Sequence, residues 1–251
     1  HEGVREVVLT GTQLGSYGFD IPEANLATML KRVLNETGIE RLRVSSLQPA
    51  EITEELLDIW SDEGEGRLCR HFHMALQSGS DAILSRMRRR YTADEFVQTV
   101  ERVRSTVPGA MITGDVIAGF PGETEVDHRS TLGVIKRVGF ADLHVFPYSE
   151  RPGTSAAHFD DRVDYGVRTR RAAEIRELAT ELSRLVRENA VGGIAPVLWE
   201  NNAPATGLTD TYLRVRRNRA DLPAGVSALE NVIERVRLVR LDGDVLEGEP
   251  V

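Results

Sequence analysis

Five short runs rich in β-branched and aliphatic residues, Val4–Thr10, Arg41–Ser46, His71–Leu76, Met111–Gly119 and Ala141–Tyr148, recur at spacings of about 30 to 40 residues. That rhythm constrains the chain more than any other feature. Each interval leaves room for one crossover helix, so the runs are expected to form a parallel sheet built from repeated βα units. Leu26, Met29, Leu30, Val33 and Leu34 fall on one helical face, and the spacing predicts a helix opened by Pro22 and closed by Gly38. Thr92 and Glu95 form a capping box ahead of Phe96, Val100 and Val103. A last long helix is expected over 164–190, carrying Ile175, Leu178, Leu182, Leu185 and Val186, and the pair Gly192-Gly193 marks a domain boundary. Beyond it the texture changes to short strands, Val197–Glu200, Tyr212–Arg216 and Val232–Leu241, with Asp242-Gly243 as a hairpin turn. The fold class is therefore α/β: a parallel barrel, or part of one, in residues 1–191, followed by a small β-barrel in residues 192–251.

Apolar runs such as Val7–Leu9 fall far short of the roughly 20 residues that a bilayer span requires, so no membrane partner is expected. The one cysteine, Cys69, excludes an internal disulfide and offers no metal-ligand spacing, which points to a reducing cytoplasm and to no metal site of this chain's own. The chain opens on His1 in mid-pattern and reads as a piece of a longer protein. A net charge of −8 does not advertise a nucleic-acid surface, so local clusters must make that case. Arg86, Arg88, Arg89 and Arg90 beside Tyr91, and Arg214, Arg216, Arg217 and Arg219 beside Tyr212, are candidates for phosphate contact; a solvated, salt-bridged face is the other meaning of such runs.

In a parallel α/β barrel the chemistry lies at the C-terminal ends of the strands. The first run ends in Thr10-Gly11-Thr12-Gln13-Leu14-Gly15-Ser16-Tyr17-Gly18, which fits neither a P-loop nor a dinucleotide fingerprint and is either a binding loop or a Gly-rich turn. Alternation along the third run places His71, His73, Ala75 and Gln77 on the interior face and Phe72, Met74 and Leu76 against the helices. The two histidines are expected to be hydrogen-bonded inside the barrel, since no third ligand lies near. Asp115 shares a face with Thr113 on the fourth run and is costly there unless partnered, which makes it a site candidate. The fifth run ends in Phe146-Pro147-Tyr148, whose aromatic pair could flank a purine.

Taken in order, the strings Val8 to Gly18, Arg43 to Pro49, His73 to Ser80, Asp115 to Thr124 and Phe146 to Thr154 resemble the radical S-adenosylmethionine methylthiotransferases. The resemblance implies a partial radical-SAM (TIM-like) barrel over 1–191 and, over 192–251, a TRAM-like barrel that binds RNA. It implies replacement of a C–H hydrogen by a methylthio group through a 5′-deoxyadenosyl radical, with S-adenosylmethionine and two 4Fe-4S clusters in the full-length parent. Met87 to Thr92 and Val145 to Tyr148 are similar to the branch that modifies C2 of N6-threonylcarbamoyladenosine beside the tRNA anticodon; the isopentenyladenosine and ribosomal-protein branches are the alternatives. The family's C-x3-C-x2-C cluster motif is absent from this chain, which would leave it inactive by itself. Ala75 stands where the family usually has Pro, and Leu208 where it usually has an aromatic residue.

Position by position, the resemblance puts Thr10, Gly11 and Gln13 by the methionyl end of the cofactor and Gln77, Ser78 and Asp115 by its ribose or the substrate. Asp115 and Gln77 are the implied catalytic residues. Ser46, Gly119, Phe120, Gly122, Phe146 and Tyr148 join the cofactor set, and Arg89, Arg90, Arg214, Arg216 and Arg217 the RNA set. The implied partners are tRNA and an electron donor such as a flavodoxin or ferredoxin. Two readings from other classes compete: an RNA-binding scaffold that kept both barrels without the chemistry, and a metal-independent barrel enzyme using Asp115 and His73 as acid and base.

Overall fold

The computed structural model describes residues 3–61, 66–202, 205–217 and 229–251. The five expected runs are strands β1 (Glu6–Leu9), β2 (Arg41–Val44), β3 (His71–His73), β4 (Met111–Ala118) and β5 (Asp142–Pro147), all parallel. Parallel bridges Leu42↔Leu68 and Leu47↔Met74 stitch β2 to the β3 side, giving the spatial order β1-β2-β3-β4-β5. The third run pairs more briefly than expected. Its ladder stops at His73, and where pairing resumes, at Gln77↔Val116, this run has advanced four residues against three of β4; Gln77 itself takes a left-handed φ of 62°.

Helices α1 (Leu26–Glu36), α2 (Glu54–Ser61), α3 (Asp81–Arg86), α4 (Ala93–Thr106) and α5 (Glu125–Val138) fill the crossovers, and α6 (Tyr165–Ala190) follows β5. Leu30, Leu42, Phe72, Met74, Phe96, Ile112 and Ile135 are fully buried between sheet and helices, so the apolar alternation expected of β3 holds. The Thr92–Glu95 capping box opens α4 as expected. The start of α1 differs: Asn25, not Pro22, is the cap, accepting from the Thr28 N–H at 2.7 Å while Thr28 Oγ1 accepts from the Asn25 N–H at 2.9 Å. Pro22 lies in the preceding turn, and Thr37 rather than Gly38 closes the helix.

After α6 the chain forms β6 (Ile194–Asn202), β7 (Ala205–Thr209), β8 (Arg214–Arg217), β9 (Val232–Asp242) and β10 (Val245–Pro250), closed in the order β10-β8-β7-β6-β9 around Val197, Trp199, Val215, Val236 and Leu246. Tyr212 is not in a strand. It takes a φ of 72° in the turn before β8, and this turn enters the N-terminal end of the parallel sheet.

There Arg41 and Arg43 of β2 are buried and both are paired with Glu6 of β1. Their remaining donors reach the small barrel: Arg43 donates to the carbonyls of Thr209 and Asp210, each at 3.1 Å, and Arg41 to that of Leu208 at 3.1 Å. Arg70 pairs with Asp210 at 2.7 Å, and the Tyr212 ring stacks on His71 with centroids 4.5 Å apart beneath the Arg43 guanidinium. Buried guanidinium groups are tolerable only with this degree of satisfaction.

His71 is held neutral in this setting. Burial, then the Arg43 and His73 charges, push its pKa down to about 3. A histidine neutral when folded but protonated when unfolded contributes its full stability above the unfolded pKa near 6.5 and loses it as pH falls toward 3, with a limiting slope of about 1.4 kcal/mol per pH unit. In urea unfolding, the wild-type chain is expected to lose about 1 to 2 kcal/mol more than His71→Phe between pH 7 and pH 5. Parallel stability curves for the two proteins would contradict this.

Candidate active site

Alternation on β4 turns Thr113, Asp115 and Ile117 to the concave face, and the register sets Thr113 beside His73 and Asp115 beside His144. His73 bridges the row, with Nδ1 3.0 Å from Thr113 Oγ1 and Nε2 3.2 Å from Asp115 Oδ2. His71 Nε2 lies 2.8 Å from the same Thr113 oxygen, so both histidines are hydrogen-bonded inside the sheet. His144 Nδ1 lies 3.2 Å from Asp115 Oδ1. The bond from His73 is the largest influence on Asp115 and, with His144, holds its carboxyl below the usual range against the opposing effect of burial. Asp115 is therefore an ionised acceptor.

Two strand ends carry strained backbone. Ser46 after β2 and Gln77 after β3 have φ of 67° and 62°, a region that costs non-glycine residues about 1 kcal/mol or more. Gln77 is pinned there by its N–H to the Asp115 carbonyl at 2.8 Å and by its own carbonyl, which accepts from the Ile117 N–H at 2.9 Å. The loop after β4 is fixed from behind. Gly119 has φ 73°, and a Cβ there would lie 2.2 Å from Arg168 Cγ; its N–H donates to both oxygens of Glu123 at 3.1 Å. Arg171 of α6, itself buried, pairs with Glu123 at 2.8 Å. Burial pushes the Glu123 carboxyl up, while the Gly119 N–H and Arg171 oppose it. Gly122 at φ 83° donates to the Asp161 carbonyl at 2.8 Å.

These elements border a cavity of about 590 Å3. Of the residues singled out in the sequence, Gln77, Arg86, Arg88, Arg89, Asp115, Phe120, Phe146 and Tyr148 line it, and Ser46 does not. Phe120 meets Tyr148 edge to face at 5.3 Å. Gly119 and Gly122 shape the loop that carries Phe120, while Thr10, Gly11 and Gln13 lie in the exposed loop after β1, off the cavity wall, as does exposed Arg90. Ser78 is fully buried, 3.4 Å from Thr131 of α5, and also lies off the wall. Cys69 is sealed in the core, where burial pushes its thiol up to about 12. Sequence reasoning passed over His144, Arg151 and Thr154 to Ala156 as wall or partner residues; the register Asp115↔His144 was the available signal for the first.

On the small barrel, Arg214 and Arg216 share the outer face and Val215 the core, as alternation requires, but both arginines are ion-paired: Arg214 to Glu200, and Arg216 to Asp242 at 2.6 Å and Glu247 at 2.9 Å. Arg217, grouped with them in the sequence, is 1% exposed and paired with Glu234 at 2.7 Å, because its parity is that of Val215 and turns it inward. Arg219 lies outside the described residues.

Residues 1–135 match the family model of the Radical SAM superfamily. The chain is 35% identical over 221 residues to the threonylcarbamoyladenosine tRNA methylthiotransferase MtaB of Bacillus subtilis, covering 85% of this chain and 49% of that protein. It is 35% identical over 249 residues to the tRNA-2-methylthio-N(6)-dimethylallyladenosine synthase of Geotalea uraniireducens, covering 98% of this chain and 56% of the relative. The chain thus spans about half the length of the curated relatives it matches. Among solved structures, Escherichia coli coproporphyrinogen III oxidase (HemN), a radical SAM enzyme, superposes with a TM-score of 0.51 at 16% identity over 74% of this chain and 49% of its own, a likeness of fold. With a parallel sheet of this order and a family match over more than half its residues, the chain belongs to the Radical SAM superfamily.

Proposed function

We propose that this chain is the core of a tRNA methylthiotransferase that replaces the C2 hydrogen of N6-threonylcarbamoyladenosine, beside the anticodon, with a methylthio group. The observation that carries the reading is the likeness to tRNA methylthiotransferases, which extends through both the parallel sheet and the small barrel. In it, residues 1–191 are the radical SAM core and residues 192–251 a TRAM-like, RNA-facing unit. The strings Met87 to Thr92 and Val145 to Tyr148 favour the threonylcarbamoyl branch over the dimethylallyl one.

The cavity suits S-adenosylmethionine. Its volume is in the range of small-molecule sites, its aromatic rings offer planes for a purine, and ionised Asp115 with the Gln77 amide offers partners for ribose hydroxyls. When bound, this cofactor would supply a 5′-deoxyadenosyl radical, able to take a hydrogen atom from the substrate, on one-electron reductive cleavage that also releases methionine; the electron would come from a cluster outside the described residues, fed by a flavodoxin- or ferredoxin-like electron donor. The protein's part is orientation: His73 and His144 hold the Asp115 carboxylate, and the Glu123–Arg171 pair holds the Gly119 loop beneath Phe120. The described residues do not fit an iron–sulfur cluster, since thiolates are its usual ligands and Cys69 is buried and protonated. The reading also includes Thr10, Gly11, Gln13, Ser46 and Ser78 toward the cofactor, tRNA as substrate, a flavodoxin- or ferredoxin-like electron donor and a cytoplasmic setting. Among the described residues no helix is long and apolar enough to cross a membrane.

Mass spectrometry of tRNA nucleosides tests the reaction. Cells expressing the gene's whole product with Asp115→Asn are expected to hold less than about a tenth of the wild-type methylthio-N6-threonylcarbamoyladenosine, a loss of the size that follows removal of a charged hydrogen-bond partner. Wild-type levels with Asp115→Asn would leave Asp115 structural, and a methylthio group on dimethylallyladenosine alone would move the protein to the other branch.

Anaerobic treatment of the 251-residue chain with iron and sulfide is expected to leave no 4Fe-4S absorbance. A stoichiometric cluster spectrum would contradict the assignment of Cys69 as a core residue.

Arg214 and Arg216 contact phosphate in this reading by exchanging their exposed carboxylate partners for RNA, an exchange of low cost for surface pairs. Replacing both with Ala should flatten the log–log salt dependence of tRNA affinity by about one unit per lost contact. Superimposable slopes would assign the stripe to its salt bridges.

A further inference from the structure

The cavity has a basic wall that orientation of an adenosyl group does not use. Arg86, Arg88, Arg89 and Arg151 line it. Arg86 is committed to Asp161 at 2.7 Å and to the Pro121 carbonyl at 3.1 Å, whereas Arg88, Arg89 and Arg151 have no carboxylate partner among the described residues.

Arg89 and Tyr148 both line this wall; Arg89 Nε and the Tyr148 hydroxyl oxygen are buried without a partner, as are the Nε atoms of Arg168, Arg171 and Arg187 elsewhere among the described residues. What a ligand in the cavity can meet is the Arg89 guanidinium group itself, which no carboxylate of the described residues neutralises. The backbone adds to this. Helix α3 ends with Arg89 N–H on the Leu84 carbonyl and Arg88 N–H on that of Ser85, both at 2.9 Å, and Arg88 takes φ 58° at a position where glycine is the usual occupant. An arginine kept in a glycine conformation at the edge of a cavity is strain retained at a site.

We propose that Arg89, with Arg151 as a further donor on the same wall, receives a carboxylate carried on the N6 side group of the substrate nucleoside. This rests on the methylthiotransferase reading and selects within it. A threonylcarbamoyl group ends in a carboxylate that a guanidinium can take in a charge-assisted, bidentate bond, while a dimethylallyl group is a branched hydrocarbon that would leave the guanidinium desolvated and unpaired. The methionyl arm of S-adenosylmethionine also ends in a carboxylate, so the shared chemistry is a carboxylate tethered to adenosine, and the test must separate the two sources.

Calorimetric titration of the 251-residue chain with N6-threonylcarbamoyladenosine, its methyl ester, N6-dimethylallyladenosine and S-adenosylmethionine does so. The free acid should bind about tenfold or more tightly than the ester. Arg89→Gln should erase that difference, Arg89→Lys should restore part of it, affinity for the dimethylallyl nucleoside should hold or rise once the desolvated charge is gone, and affinity for S-adenosylmethionine should stay within about twofold of wild type. Arg151→Gln, on an exposed stretch, should reduce the same discrimination and serves if circular dichroism shows Arg89→Gln to be unfolded. Equal binding of acid and ester overturns the proposal, as does an Arg89→Gln loss common to every ligand. A loss confined to S-adenosylmethionine gives the guanidinium to the cofactor and overturns it too. Absence of binding by every adenosine compound would remove the adenosyl-cavity reading along with it, whereas nucleoside binding that ignores the carboxylate removes this inference alone.

Discussion

Polar side chains on the concave face of a parallel sheet must find partners, and the protein meets this requirement differently at the two ends of its strands. At the N-terminal ends the partners are internal. Glu6, Arg41, Arg43 and His71 are buried or nearly so, and the turn from Leu208 to Tyr212 supplies carbonyls to the two arginines and a ring that stacks on His71, whose Nδ1 is left without a partner. At the C-terminal ends the row Thr113, His73, Asp115 and His144 is satisfied within itself, and what lies beyond it is a cavity bordered by Arg88, Arg89 and Arg151.

This division explains why the small barrel matters to the core. Its core strands bury Trp199 and Val215 in the manner of any closed barrel, but its turn also removes from water a set of guanidinium groups that the sheet could not bury unaided. Rigidity at the far end arises from longer-range contacts. The Gly119 loop is tied to α6 through Glu123 and Arg171, so a helix that follows all five strands fixes the loop after the fourth. Strain at Ser46, Gln77 and Arg88 is tolerable on such a frame.

What was legible in the sequence was whatever depends on local period. The strands, the interior placement of His71, His73 and Gln77, and the capping box at Thr92 follow from alternation and from side chains three residues apart. Arg217 was equally legible and misjudged: it shares parity with Val215, so the rule that placed Arg214 and Arg216 outside also placed it inside. Asn25 was displaced by Pro22 as the expected helix start because proline is the louder signal, although Asn25 and Thr28 hold the hydrogen bonds. The meeting of Arg43 with Thr209 and Asp210, and of Arg171 with Glu123, joins residues far apart in the chain, and no local pattern encodes such encounters. His144 falls between these cases, visible only once the register of β4 and β5 is known.

Ligand recognition falls at the C-terminal ends of the strands, while the small barrel packs on the opposite end. A second cleft, of about 560 Å3, borders Trp60, Arg70 and Asp210 where the small barrel meets the sheet, and it is the natural competitor. Amide chemical-shift mapping of the 251-residue chain during titration with S-adenosylmethionine decides between them. The shifts should centre on Gln77, Asp115, Phe120, Phe146 and Tyr148 and leave the turn from Thr209 to Tyr212 unmoved; shifts centred on Trp60, Arg70 and Asp210, or none at all, would contradict the account.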